Sequence, residues 1–175
     1  MAGKFISVEV KGMDALLSKI KQLGAQGETI INKSVVETAI EAVSEMQRNT
    51  PVKTNRLRSS EHFELPETTT YQYSDSKGSI YNGKLYANLP KLSVAFGTNV
   101  DYAADVNYGT KPHTIKPINA SALRFKIGGN YVFAKSVKHP GTKGYRFFEA
   151  GVKKAEDILP ERLSINFEKV LNARG

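Results

Sequence analysis

The residue types that most often do chemistry are few in this chain and poorly placed for it. Histidine occurs three times, at His62, His113 and His139. No two of them stand four residues apart, the spacing that puts a pair of imidazoles on one helix face for zinc, and no His-Glu-x-x-His occurs. His113 and His139 each flank a proline in a basic loop, where a surface or interface role is expected ahead of metal binding. Cysteine is absent, which removes disulfides, thiolate ligands and thiol nucleophiles. No Gly-x-Ser-x-Gly elbow presents a serine. Gly128-Gly129 is followed by Asn130 and reads as a hairpin turn, not a phosphate-binding loop. Glu156 and Asp157 are adjacent, so on a helix they diverge by roughly 100° and cannot converge on one substrate atom. Asp101 and Asp105, one helical turn apart, are an ordinary surface pair. The expectation is a protein that is no enzyme, with no catalytic, cofactor-binding or metal residue and no small-molecule substrate.

The chain has 175 residues, 40% hydrophobic and 24% charged, the proportions of one globular domain. No apolar run approaches the roughly 20 residues that span a bilayer. The opening MAGKFISVEVKG lacks the apolar core of a secretory signal, so assembly in the cytoplasm without a membrane is expected. The net charge of +8 is unevenly placed. Residues 111–154 hold ten Lys or Arg against one acid, Glu149, while the other 131 residues are close to neutral. A patch of that kind meets nucleic-acid phosphates or an acidic protein face.

The periodicities divide the chain into helices at both ends and strands between. A strand is expected at 5–10, carried by Phe5, Val8 and Val10. Asp14 is placed to cap a helix to about residue 23, with Leu16, Leu17, Ile20 and Leu23 as its stripe and Gly24 as its left-handed stop. A longer helix is expected over 28–48. Ile31, Val35, Ala39, Val43 and Met46 mark its buried face, Glu37, Glu41 and Glu45 its wet one. Thr50-Pro51 ends it. Residues 51–62 form a basic polar connection. Strands follow at 68–73, 80–87 and 92–97, the first two joined by a turn at 74–79. Tyr71, Tyr73, Tyr81 and Tyr86 suit sheet faces. A helical turn is expected at 102–106 and a hairpin at 122–127 and 131–137. An amphipathic helix runs over 147–159 with Phe147 and Phe148 beneath it, and Pro160 should kink or restart it before residue 173. The fold class is α+β, an antiparallel, sandwich-like β-sheet packed by a long N-terminal helix and a C-terminal helix. It is read as one domain, 1–175, with a β-hairpin insertion at about 66–90. Gly-Thr-Lys occurs at 109–111 and 141–143, beside Pro and His each time, too short a match to argue duplication. Gly109 and Gly141 are read as permitting tight turns.

Four segments, in order along the chain, carry a family resemblance. They are Val10-Lys11-Gly12-Met13-Asp14-Ala15-Leu16-Leu17, Thr50-Pro51-Val52-Lys53-Thr54-Asn55-Arg56-Leu57-Arg58-Ser59-Ser60, Tyr102-Ala103-Ala104-Asp105-Val106-Asn107-Tyr108-Gly109-Thr110, and His139-Pro140-Gly141-Thr142-Lys143-Gly144-Tyr145-Arg146-Phe147-Phe148. Together they resemble the HK97 gp10-like family of phage neck and tail-completion proteins. That family shows a Gly-Leu-Asp-x-Leu opening, a Pro-Val-x-Thr-Gly-x-Leu-x-x-Ser loop, a Tyr-Ala-x-x-x-Glu-x-Gly-Thr turn and a Pro-Phe-rich entry to the last helix. Asn55 stands where the family usually has Gly and Asn107 where it often has Glu. Gly144-Tyr145-Arg146 replaces the Pro-rich lead.

The resemblance implies a structural virion protein of the neck or tail region. It would form a homo-oligomeric ring, expected to be a homohexamer. Its partners would be a head-closure or connector protein on one side and the tail terminator and tail tube on the other, with genomic DNA passing through. The ring-contact residues are then expected in two basic loops. Lys53, Thr54, Arg56 and Arg58 are in the first. Lys111, His113, Lys116, Lys138, His139, Thr142, Lys143 and Arg146 are in the second, read as meeting a neighbouring ring in preference to DNA. Other readings are the tail terminator itself, a minor capsid protein, a sequence-independent DNA-binding protein, and a hydrolase with a site near His113 or His139.

Overall fold

The two long amphipathic runs of the sequence need partners for their apolar faces, and in the computed structural model they are each other's partner. The structure describes residues 14–68, 70–85 and 88–173, so the strand expected at 5–10 lies outside the described residues, as does Tyr86. The chain divides into two compact units, residues 1–103 with 146–175, and residues 104–145. The class is α+β, with long helices near both ends and antiparallel strands between them.

The first unit is built on three helices. Helix α1 spans Asp14–Gln22, beginning at Asp14 itself, and α2 spans Ala25–Asn49. Gly24 separates them at φ 58, a dihedral that costs glycine nothing. α1 folds back so closely that a Cβ on Gly27 would lie 1.8 Å from the Ile20 carbonyl oxygen. Helix α5 runs unbroken over Phe147–Asn172 with Pro160 inside it, where a kink or a fresh start was expected. Proline there removes one N–H and so one hydrogen bond of the ladder. Packing along α2 on both sides of Pro160 outweighs that loss, with Ala155 before it and Leu163 and Asn166 after it all buried. Ile20, Ile30 and Leu163 form the centre of the three-helix core, flanked by Leu23, Ile31, Leu159, Phe167 and Val170.

The buried face of α2 includes the expected Ala39, Val43 and Met46 but is centred on a different line. It follows Gly27, Ile30, Ser34, Thr38, Ala42 and Met46, with Ala39 and Val43 beside them, while Ile31 and Val35 are only half-buried. Small and polar residues hold this line because α5 comes very close. A Cβ on Gly151 would sit 2.4 Å from Met46 Cγ and 2.9 Å from the Ala42 carbonyl oxygen. Glu37 and Glu41, read as solvent-facing, border α5. Asn166 Nδ2 donates to Ser34 Oγ and to Glu37 Oε2, both at 3.1 Å, and Arg162 lies 3.8 Å from Glu41.

The strands pair antiparallel throughout, in five two-stranded ladders among the described residues. In the first unit, β1 (His62–Glu64) pairs with β4 (Ala95–Gly97) and packs on α2. β2 (Tyr71–Ser74) and β3 (Ile80–Gly83) form a hairpin within the stretch read as an insertion. A short helix, α3 (Arg56–Ser60), interrupts the basic connection, and β1 begins inside what was read as loop.

In the second unit, α4 (Ala103–Tyr108) leads into a β-ribbon. β5 (Gly109–Thr110) and β6 (His113–Ile115) run outward. β7 (Leu123–Ile127) turns through Gly128-Gly129 into β8 (Asn130–Ala134), and β9 (Val137–His139) and β10 (Thr142–Lys143) return. Asp101 precedes α4, so it and Asp105 do not share a helix turn as expected. Among the described residues no helix is long and apolar enough to cross a membrane.

The helix crossing predicts its own weak point. Gly151→Ala gains helix propensity of about 1 kcal/mol but must push back the Ala42 backbone, so a net loss of about 1–3 kcal/mol is expected in urea denaturation. An unchanged midpoint would show that α2 and α5 do not meet at this distance.

Candidate assembly surface

The loop 51–60 is rigid for local reasons. Asn55 takes the left-handed conformation, φ 61, and starts α3, whose Ser59 N–H donates to the Asn55 carbonyl at 2.9 Å. Asparagine is among the few side chains that tolerate this region, because its short amide bonds locally. That explains why it can stand where the resembling family has Gly. Ser60 is fully buried and shares a hydrogen bond of 2.6 Å with Thr98.

The β2–β3 hairpin closes over this loop. Tyr71 Oη donates to the Ser59 carbonyl at 3.2 Å, Ser59 Oγ to the Ser74 carbonyl at 2.6 Å, and Ser76 N–H to the Thr54 carbonyl at 2.8 Å. Asp75 holds the turn, its Oδ1 accepting from the N–H groups of Lys77 and Ser79. The tyrosines expected on sheet faces form a column. Tyr81, Tyr73 and Tyr71 stack in succession, the His62 ring lies 3.9 Å from Tyr71, and the Arg56 guanidinium sits 4.5 Å over Tyr81. Arg56 also lies 5.6 Å from the Tyr102 ring and 3.8 Å from Asp101. Of the first expected contact group, Arg56 is therefore engaged within its own subunit and Thr54 is half-buried. Lys53 and Arg58 are exposed.

Beneath the loop lies a buried polar run that the sequence gave little reason to expect. Glu61, His62 and Glu64 are each at most 4% exposed. The Ser60 carbonyl only accepts, so His62 Nδ1, 2.7 Å away, carries a hydrogen. His62 Nε2 lies 3.2 Å from Glu64 Oε1, and that oxygen also accepts from the Leu85 N–H at 2.8 Å. Glu61 accepts from the Thr50 hydroxyl through one oxygen, while its other oxygen has no partner. Burial pushes the Glu61 carboxyl up to about 7, against the opposing pull of the Thr50 hydroxyl and the Arg58 charge. The run is buried and reads as a structural floor.

The second basic group is drawn together by the ribbon of residues 104–145. β5 pairs with β10 and β6 with β9, and the partners keep one register along both ladders. Thr110 opposes Thr142 with hydroxyls 3.1 Å apart, and His113 opposes His139. The twice-occurring Gly-Thr-Lys thereby acquires a meaning. Each glycine sits where a Cβ would lie 2.2 Å from a threonine carbonyl on the facing strand, Gly109 against Thr142 and Gly141 against Thr110. Both take positive φ, 79 and 89. The two tripeptides are the two sides of one close backbone approach.

Each of the facing histidines uses its Nδ1 locally. Their rings lie 5.0 Å apart, and His113 Nδ1 donates to the Lys111 carbonyl while His139 Nδ1 accepts from the Gly141 N–H. One ring lone pair is thus already used, and the described residues hold no group of three metal-ligating side chains. Lys111, His113, Lys116, Lys138, Thr142 and Lys143 are exposed on the ribbon and His139 is half-buried. Arg146, in the other unit, is left-handed at φ 56 and pairs with Glu149 at 2.9 Å.

The ribbon has almost no interior. Within 104–145 the only buried residue is Asn107, and no apolar side chain is buried. Seven Lys or Arg stand there against the single acid Asp105, and none of the seven makes an ion pair among the described residues. Large apolar groups are exposed with them, Ile118 at 95% and Phe133 at 66%. Exposed apolar groups of this size make the ribbon a candidate interaction surface.

Compared with known proteins, residues 14–109, more than half of the chain, match the family model described as "Bacteriophage HK97-gp10, putative tail-component". No curated protein and no solved structure gave a match.

Substitutions at two positions test the floor and the loop. Glu61 binds its proton more tightly folded than unfolded, where its value is 4.5. The stabilisation this supplies is complete below about pH 4.5 and is lost as the pH rises to about 7. Glu61→Gln is expected to flatten that part of the curve of melting temperature against pH, and an unaltered slope would show the carboxyl to be solvated. Asn55→Gly should leave stability within about 0.5 kcal/mol, whereas Asn55→Val should lose about 1–2 kcal/mol at a left-handed residue. Equal denaturation midpoints for the two would contradict the conformation at residue 55.

Proposed function

This chain belongs to the HK97-gp10-like family of bacteriophage tail components, and we propose that it is a non-enzymatic ring subunit of the neck that joins head to tail. Several copies close into a ring, a hexamer in the form the family resemblance implies. The ring stacks between the head-closure or connector protein and the tail terminator and tube, and DNA passes through its channel. The protein resides in the virion and is assembled in the host cytoplasm.

One observation carries the reading beyond the family. The ribbon 104–145 exposes apolar groups and seven cations that make no ion pair among the described residues, while burying no apolar side chain of its own. Two-stranded ribbons are marginal in water unless something covers them, and a protein stabilised by bound neighbours has no need of its own core there. By contrast, the polar run at Glu61, His62 and Glu64 is buried.

Those cations also fit phosphates, which is the basis for a second reading as a sequence-independent DNA-binding protein. A channel through which DNA slides is poorly served by strong grips, because each neutralised phosphate releases counterions and tightens binding. Contact with an adjoining protein ring is therefore favoured. Salt-dependent affinity of the free subunit for duplex DNA separates the two readings.

The lysines of the close approach give the test. Lys111→Glu with Lys143→Glu lies on exposed positions and should leave the subunit folded by circular dichroism while blocking the joining of heads to tails. Complementation of a phage lacking the gene is expected to give unjoined heads and tails, and normal yields of infectious particles would rule the role out.

A further inference from the structure

The hairpin at the tip of the ribbon carries a patterned face. Alternation places Arg124 and Lys126 of β7 on one side of the hairpin, with Phe133 opposite Arg124 and Tyr131 opposite Lys126 across the ladder. All four are exposed. The Arg124 guanidinium lies 4.8 Å and the Lys126 ammonium 4.9 Å from the centre of the Tyr131 ring. Two cations are thus held over one aromatic group with no carboxylate paired to either among the described residues.

A surface of matching chemistry exists on α5. Asp157, Glu161 and Glu168 are exposed and recur at intervals of four and seven residues, which places them in one row on the outer side of the helix. None makes an ion pair among the described residues. Leu171 continues the row and is itself exposed. Arg162, beside the row, is turned to Glu41, and exposed Lys153 and Lys169 flank the acids at the two ends. The dimensions agree as well. From residue 157 to 168 a helix rises roughly 16 Å, and a five-residue strand spans roughly 16 Å. One helical turn between Asp157 and Glu161 is about 6 Å, and Arg124 and Lys126 are about 7 Å apart along their strand.

We propose that the cationic, aromatic hairpin of one copy seats on the acidic outer row of α5 of a second copy, Arg124 and Lys126 meeting Asp157 and Glu161 with Tyr131 and Phe133 beside them against the same stretch of helix. The contact joins different patches on the two copies, so it repeats head to tail and closes into a ring where the rotation allows. It rests on the ring reading above and specifies which surfaces build the ring. DNA offers the same charge to the arm but no counterpart for its exposed aromatic and aliphatic groups.

Charge exchange on the full-length protein tests it by sedimentation velocity at low and moderate salt. Arg124→Glu with Lys126→Glu, and separately Asp157→Lys with Glu161→Lys, should each weaken self-association by about tenfold or more. The chain carrying all four changes should regain it. If the reversed arm disturbs folding by circular dichroism, Arg124→Gln with Lys126→Gln reads the same loss at smaller size. An oligomer indifferent to both one-sided changes overturns this proposal and leaves the ring reading standing, as does a folded four-fold variant that stays dissociated. Loss of duplex-DNA binding by the arm variant with unaltered self-association also overturns it, in favour of DNA. A wild-type chain that is monomeric at its highest soluble concentration removes the proposal and the ring reading together.

Discussion

The close crossing of α2 and α5 is the constraint on which the first unit depends. Gly151 lets the two backbones approach until Met46 and the Ala42 carbonyl fill the place of a side chain. Two helices separated by 97 residues of chain are thereby fixed along much of their length. Small residues gain dispersion contacts by bringing two surfaces together, and the cost is that no position on the line tolerates extra volume. The polar groups on that line, Ser34, Glu37 and Asn166, are compatible with burial because they bond across the crossing. Once that pair is fixed, the β1–β4 ladder has a surface to lie on, and Phe148 of α5 reaches Phe96 of β4 with ring centres 6.0 Å apart.

The second level of order is the aromatic column. Each planar group from Arg56 through three tyrosines to His62 lies against the next. The hairpin that supplies the tyrosines is also bonded to the loop 51–60 through Thr54, Ser59 and Ser74. An isolated two-stranded hairpin is marginal, and this one is held by what it covers. The hairpin and the loop form one unit, so the loop presents Lys53 and Arg58 from a fixed support.

How much of this was legible depended on the scale of the signal. The long helices, the left-handed Gly24 and the Gly128-Gly129 hairpin follow from periodicity and turn chemistry that act locally. The centre of the buried face of α2 was misplaced because a hydrophobic stripe is sought among large residues, whereas a close crossing selects Gly27, Ser34, Thr38 and Ala42. Pro160 was read as a break because the sequence shows the lost N–H but not the packing that compensates for it. β1 was hidden because two of its three residues are charged or titratable, and their burial depends on partners from Ser60 to Leu85. In the assembly surface, the basic character of 111–154 was plain. The engagement of Arg56 was not, since Tyr81, Asp101 and Tyr102 are distant in sequence. The repeated Gly-Thr-Lys was visible but mute until antiparallel pairing set each glycine against the other strand's threonine.

The ribbon poses a problem that its own composition answers. Among the described residues every strand in it is an edge, because each ladder has two members, and unpaired strand edges invite indiscriminate pairing with other chains. Lysines along such edges oppose that pairing through their charge and the cost of desolvating them. Exposed Lys111, Lys116, Lys138 and Lys143 lie along both sides of the ribbon. Positive charge that resists edge-to-edge contact with another copy's ribbon is the same charge that attracts an acidic surface. A subunit built this way stays soluble while unassembled and gains its specific contact without exposing a second set of residues. On the proposed ring reading, the folding of the helical unit and the covering of the ribbon would be separate events, the first driven by the α2–α5 crossing and the second by the arrival of a neighbour. That separation suits a subunit that must be stable enough to wait and incomplete enough to join.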